Sequence, residues 1–136
     1  MTWNIRGLGS EVKVSAIKRL VFAQNVDMLF LQETKKQSLT EDEIYKLWYH
    51  DELDFRVSNA EGKSGALAVV WDKTKFVVRT SMVGSNYIAL KGKWVQEDAE
   101  AFLVNVYAPC SISDQVNLWK DMESWKQREK GKEWWL

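Results

Sequence analysis

Cysteine, histidine and proline each occur once in these 136 residues. A lone thiol, Cys110, excludes an intramolecular disulfide framework and any multi-cysteine zinc site. A lone imidazole, His50, severely limits acid–base chemistry. Neither sign of charge is in excess, because nineteen basic residues balance nineteen acidic ones. That balance gives no support for a strongly electrostatic nucleic-acid binder. Long apolar runs are also missing: "ALAVVW" at 66–71 is the longest, far too short to span a bilayer. The opening "MTWNIRGLGS" lacks the apolar core of a signal peptide, so an intracellular, reducing compartment is expected. No internal repeat, linker or low-complexity segment interrupts the chain.

What is present reads as one globular domain over 1–136, with 46% apolar and 28% charged residues and enough length to bury a real core. Eight tryptophans are unusual for this size, and Trp119, Trp125, Trp134 and Trp135 all lie in the last eighteen residues. "MTWNI" suits a short strand, followed by a two-glycine loop. Residues 12–24 carry helical spacing, with Val14, Ile17, Leu20 and Val21 on one face. "VDMLFLQ" then reads as a strand apolar on both faces, as for a parallel strand covered on both sides. Strand, helix and strand make a βαβ unit.

In "SLTEDEIYKLW", Thr40 and Glu43 form a Thr-x-x-Glu capping box that predicts a short second helix. The period then changes to two: "DFRVSN", "GALAVVW", "KFVVRT", "NYIALKGKWV" and "EAFLVNVYAP" are strand-like. "EDAE" at 97–100 is the expected turn between the last two, and Pro109 closes the series. A final helix follows, capped by Ser111 and Asp114, with Ile112, Val116, Trp119, Met122 and Trp125 as its expected buried stripe. "EWWL" has the composition of a further strand. The stretch "DMLFLQETKK" at 27–36 carries an apolar strand straight up to Glu33. That carboxylate is either a solvated strand end or a group aimed at a metal ion from a rigid platform.

Four short pieces, "TWNIRGL" at 2–8, "LFLQETK" at 29–35, "SGALAVVW" at 64–71 and "NVYAP" at 105–109, occur in order and at compatible spacing. Together they resemble the endonuclease/exonuclease/phosphatase (DNase I-like) superfamily. Their wording is most similar to the endonuclease domain of plant non-LTR (LINE-type) retrotransposons. The resemblance implies an α/β fold, a four-layer α/β/β/α sandwich, of which this chain would be the N-terminal portion. One sheet is expected to be largely present and the other incomplete, with inner-face residues lacking full cover.

The resemblance also implies that Glu33 is a Mg²⁺ ligand, that Asn4 orients phosphate and metal, and that Tyr107 contacts the scissile phosphate. Mg²⁺ commonly takes one or two carboxylates plus waters and substrate phosphates, so one glutamate suffices as anchor. Some positions depart from the family pattern. Arg6 stands where an aspartate is common, Cys110 where an asparagine is common, and Gly65–Ala66 where a glycine pair is usual. The Gly-Asp-Phe-Asn strand and the Asp–His pair that activate water in the family are not in the sequence, and "KEWWL" resembles the residues just before that strand. A C-terminally truncated, catalytically incomplete DNA phosphodiesterase domain is therefore expected. The competing expectations are a non-enzymatic interaction module, or a retrotransposon remnant that is not expressed. DNA is an expected but weak partner, and self-association is expected through an open sheet edge with Trp134 and Trp135. His50 is expected to serve a local hydrogen-bonding or surface role. "KQREKGK" at 126–132 reads as a solvated helix end or a phosphate contact.

Overall fold

The computed structural model describes residues 2–4, 11–32, 34, 38–59, 65–84, 87–106, 116, 119–121 and 123–124, the first three and residues 11–12 as backbone only. Strand β1 (Thr2–Asn4) leads into helix α1 (Glu11–Ala23) and strand β2 (Met28–Gln32). Of the expected stripe, Ile17 and Val21 are buried and Val14 packs on the same cluster, whereas Leu20 is only half-buried and lies outside it. The helix ends on Asn25 at φ 52°, a conformation asparagine tolerates better than most residues. The Asn25 and Val26 amides donate to the Phe22 and Val21 carbonyls at 3.2 and 3.0 Å, which together form a Schellman stop.

Helix α2 (Glu41–Tyr45) starts at the capping box read from the sequence. The Glu43 amide donates to Thr40 Oγ1, and the Thr40 amide donates back to Glu43 Oε1, both at 3.2 Å. Such a cap contributes about 1 kcal/mol, useful to a helix of only five residues that cannot sustain itself in water.

The remaining strands are β3 (Leu53–Ser58), β4 (Leu67–Asp72), β5 (Phe76–Val83), β6 (Tyr87–Trp94) and β7 (Ala99–Val106). They form two sheets, ordered β1-β2-β4-β3 and β5-β6-β7. β2 runs parallel to β1 but antiparallel to β4, so the first sheet is mixed. The second is a meander whose β6–β7 turn occupies 95–98 rather than 97–100, with Asp98 at φ 54°.

Period-two alternation assigns each face. Leu29, Leu31, Ala68 and Val70 meet α1 and α2, with Ile44, Leu47 and Trp48. Met28, Leu67, Val69 and Trp71 meet Phe76, Ile88, Leu90, Ala101 and Leu103 of the second sheet. The outer face of that sheet carries Tyr87, Ala89, Phe102 and Val104. Gly92 lets the sheet interior close: a Cβ there would lie 2.4 Å from the Val77 carbonyl oxygen and 2.7 Å from the Phe76 ring.

Between the sheets, Phe76, Ile88, Leu90 and Trp71 are buried, while Phe30, Val78 and Trp94 pack against them only partly buried, so part of the inner face lacks full cover. Two expectations are corrected. Val116 and Trp119 are not buried but 45% and 53% exposed, because a helix rich in apolar residues offers more than one candidate stripe and spacing alone does not choose between them. The strand expected from Gly65 begins at Leu67 instead. Gly65 sits at φ 114°, a conformation that side chains disfavour and that ends the extended pairing. No helix among the described residues is long and apolar enough to cross a membrane.

Candidate phosphate and metal site at the strand rim

The carboxyl ends of β1, β2, β3 and β7 and the amino ends of β4 and β6 share one rim of the two-sheet stack. The registers fix this: Asn4 pairs with Gln32, Leu31 with Ala68, Ser58 with Leu67, and Tyr87 with Val106. The Ser58 hydroxyl donates to the Gly84 carbonyl at 2.6 Å, tying the two sheets together at the same end. In open α/β sheets such carboxyl ends are where ligands collect.

Across that rim runs a polar bridge. Gln32 Nε2 donates to Asn105 Oδ1 at 2.8 Å and to the Val106 carbonyl at 2.9 Å. Asn105 Nδ2 donates to the carbonyls of Leu31 at 3.2 Å and Ala68 at 3.1 Å. Asn105 is 1% exposed, so its amide needs these partners. It continues the inner row Ala101–Leu103 of β7, where an apolar side chain would otherwise sit. A third bond, from Thr34 Oγ1 to the Ala66 carbonyl at 2.9 Å, anchors the chain just beyond β2.

Of the expected site residues, Asn4 is placed by its backbone, opposite Gln32. Glu33 and Tyr107 lie outside the described residues, as do Arg6, Pro109, Cys110, Ser111, Asp114, Trp134, Trp135 and the run 126–132. Gln32 and Asn105 were not singled out from the sequence. The available signal was a polar residue two places after Leu103 in an otherwise apolar inner row.

His50 lies at the opposite rim, and its role is local. The Glu52 amide donates to His50 Nδ1 at 3.0 Å, and Nε2 is 3.4 Å from Asp72 Oδ2. The Trp48 indole N–H faces Nε2 at 3.3 Å, so both ring nitrogens are engaged locally. Neighbouring Tyr49 has its hydroxyl pKa raised from the ordinary 10.0, by burial first and then by the charges of Asp72 and Asp27.

Among the described residues, no group of three or more histidine, cysteine, aspartate or glutamate side chains is placed to hold a metal ion. The rim's two amides are committed to each other and to main-chain carbonyls.

A comparison with curated proteins found no match. Among solved structures, the chain is similar to the AP endonuclease LMAP from Leishmania major, with 20% identity and a TM-score of 0.59 over 93% of this chain and 44% of that one. It is similar to the endonuclease domain of TRAS1, a telomere-specific non-LTR retrotransposon, with 11% identity and a TM-score of 0.64 over 98% of this chain and 54% of that one. A mannosyl-6-phosphatase from Bacteroides thetaiotaomicron matches with 14% identity and a TM-score of 0.66 over 98% of this chain and 60% of that one. The chain thus spans roughly half the length of these structures, and the likeness establishes the DNase I-like fold. A family model described as the Endonuclease/Exonuclease/phosphatase family matches residues 1–135. Four ordered motifs, the mixed two-sheet architecture and this nearly full-length match lead to one conclusion: the chain belongs to the endonuclease/exonuclease/phosphatase family.

Proposed function

We propose that the chain is the metal- and phosphate-binding portion of a Mg²⁺-dependent DNA phosphodiesterase, and that these 136 residues alone bind without efficient turnover. The observation that carries this reading is the Gln32 bridge. It draws together the ends of β2 and β7, while Asn4 pairs with Gln32 itself. In sequence, Glu33 directly follows Gln32 and Tyr107 directly follows Val106. In this reading Glu33 anchors the cation, Asn4 orients phosphate and Tyr107 contacts the phosphodiester. When bound, the cation would polarise a phosphoryl oxygen and offset charge on the leaving oxygen.

Weak turnover is supported by His50, which sits at the far rim and is occupied with Asp72. Without a general base, about two to four orders of magnitude of rate are commonly lost. DNA as the substrate is supported by the plant LINE-type wording of the motifs.

Titration with Mn²⁺, followed by the loss of its free-ion electron paramagnetic resonance signal, tests the reading. The chain is expected to bind one ion reversibly, with release by EDTA, and Glu33→Ala to weaken binding beyond detection. Supercoiled plasmid in Mg²⁺ is expected to stay un-nicked above the buffer background. Equal Mn²⁺ affinity in Glu33→Ala would refute the reading.

A further inference from the structure

We infer that Gln32, acting through Asn105 and the Val106 carbonyl, is a positioning residue for the proposed site, and that Thr34 supports it from the other side of Glu33. This inference rests on the metal-site reading above.

Both Gln32 amide hydrogens are committed to β7, at 2.8 and 2.9 Å, across sequence separations of 73 and 74 residues. Both Asn105 amide hydrogens return to the first sheet, to one carbonyl on β2 and one on β4. One pair of side-chain amides therefore references β2, β4 and β7 to one another. On the far side of position 33, the fully buried Thr34 hydroxyl is tied to the Ala66 carbonyl just before β4. The residue between Gln32 and Thr34 thus has both chain neighbours anchored, one to each sheet.

Stability alone does not call for this arrangement. An apolar pair of matching shape at such a place is often neutral or better. What amides add is direction: a hydrogen bond fixes angle and distance, whereas apolar contacts slide. A ligand that must hold a small, geometrically demanding cation while a second strand end meets phosphate gains from fixed spacing. Partners behind metal ligands typically change affinity by about 10–100-fold when removed.

Gln32→Met keeps length and volume but removes both donors. The control is Ile44→Val, a mild core loss on α2 that leaves the rim bridge untouched. Mn²⁺ titration is expected to show about 10–100-fold weaker binding in Gln32→Met and wild-type binding in Ile44→Val, both folded by circular dichroism. A merely structural role would lower the urea midpoint of both variants and leave their Mn²⁺ affinity alike. Wild-type affinity in Gln32→Met, alongside loss in Glu33→Ala, overturns the inference while leaving the metal-site reading intact. Wild-type affinity in Glu33→Ala overturns both. Should Gln32→Met fail to fold, Thr34→Val, which deletes the Ala66 bond at constant shape, decides by the same criterion.

Discussion

Asn105→Leu is expected to lower unfolding free energy by about 3 kcal/mol or more, because leucine fills the volume and serves none of three polar partners. Those partners are Gln32 Nε2 and the carbonyls of Leu31 and Ala68. Each buried group left unsatisfied costs about 1–3 kcal/mol. The lower end of the sum is the better expectation, since Gln32 is only half-buried and rim water can reach its amide. Urea unfolding should show a lower midpoint with an unchanged slope, the sign of lost stability without altered compactness. A loss below about 1 kcal/mol would mean that the bridge is not formed in solution.

Trp71→Ala is expected to cost about 3–5 kcal/mol. Trp71 is 1% exposed, on the inner face of β4 between the two sheets. The Arg56 guanidinium lies 5.5 Å from its ring centroid, which adds a cation–π contact to the packing. Removing the indole opens a cavity that rigid strands on both sides cannot collapse into. Domains of this size have about 5–15 kcal/mol of stability in all, so the variant should sit at the margin of folding at 25 °C. Trp71→Phe, which retains a ring, should lose clearly less. Far-ultraviolet circular dichroism during urea unfolding reads both, and equal stability of Trp71→Ala and wild type would show that the sheets do not pack at this point.

Much of this architecture was legible in the sequence because local periodicity reports it directly. The stripe Val14, Ile17, Val21 marked α1, Thr40 and Glu43 marked the start of α2, and alternation marked β3 to β7. The Schellman stop has only one local mark, the asparagine at position 25. Pairing across distance was less legible. That β2 would lie between a parallel and an antiparallel neighbour, or that Asn105 would reach Leu31 and Ala68, depends on contacts 37 and 74 residues apart. No local pattern encodes such contacts. The last helix misled for a related reason: with tryptophan, valine, leucine and methionine crowded together, several stripes satisfy helical spacing, and packing alone decides that Val116 and Trp119 face water. At the site, motif order set Asn4, Glu33 and Tyr107 at strand ends, and of these the described residues include only the Asn4 backbone, opposite Gln32. The side chains that organise the rim were passed over because a glutamine and an asparagine at strand ends look like ordinary polar termini.

The meander of the second sheet has a kinetic consequence. Its strands are joined by short turns, and Gly84 already bonds across the first of them to Tyr87 at 2.9 Å. Forming these hairpins sacrifices little chain entropy, whereas joining Gln32 to Asn105 encloses a loop of some seventy residues, and long-range closure is the slow step in folding. Amide protons of β6 and β7 should thus become protected in pulse-labelled refolding before those of β1 and β2, so the hairpin sheet nucleates the molecule and the rim where phosphate would dock matures last.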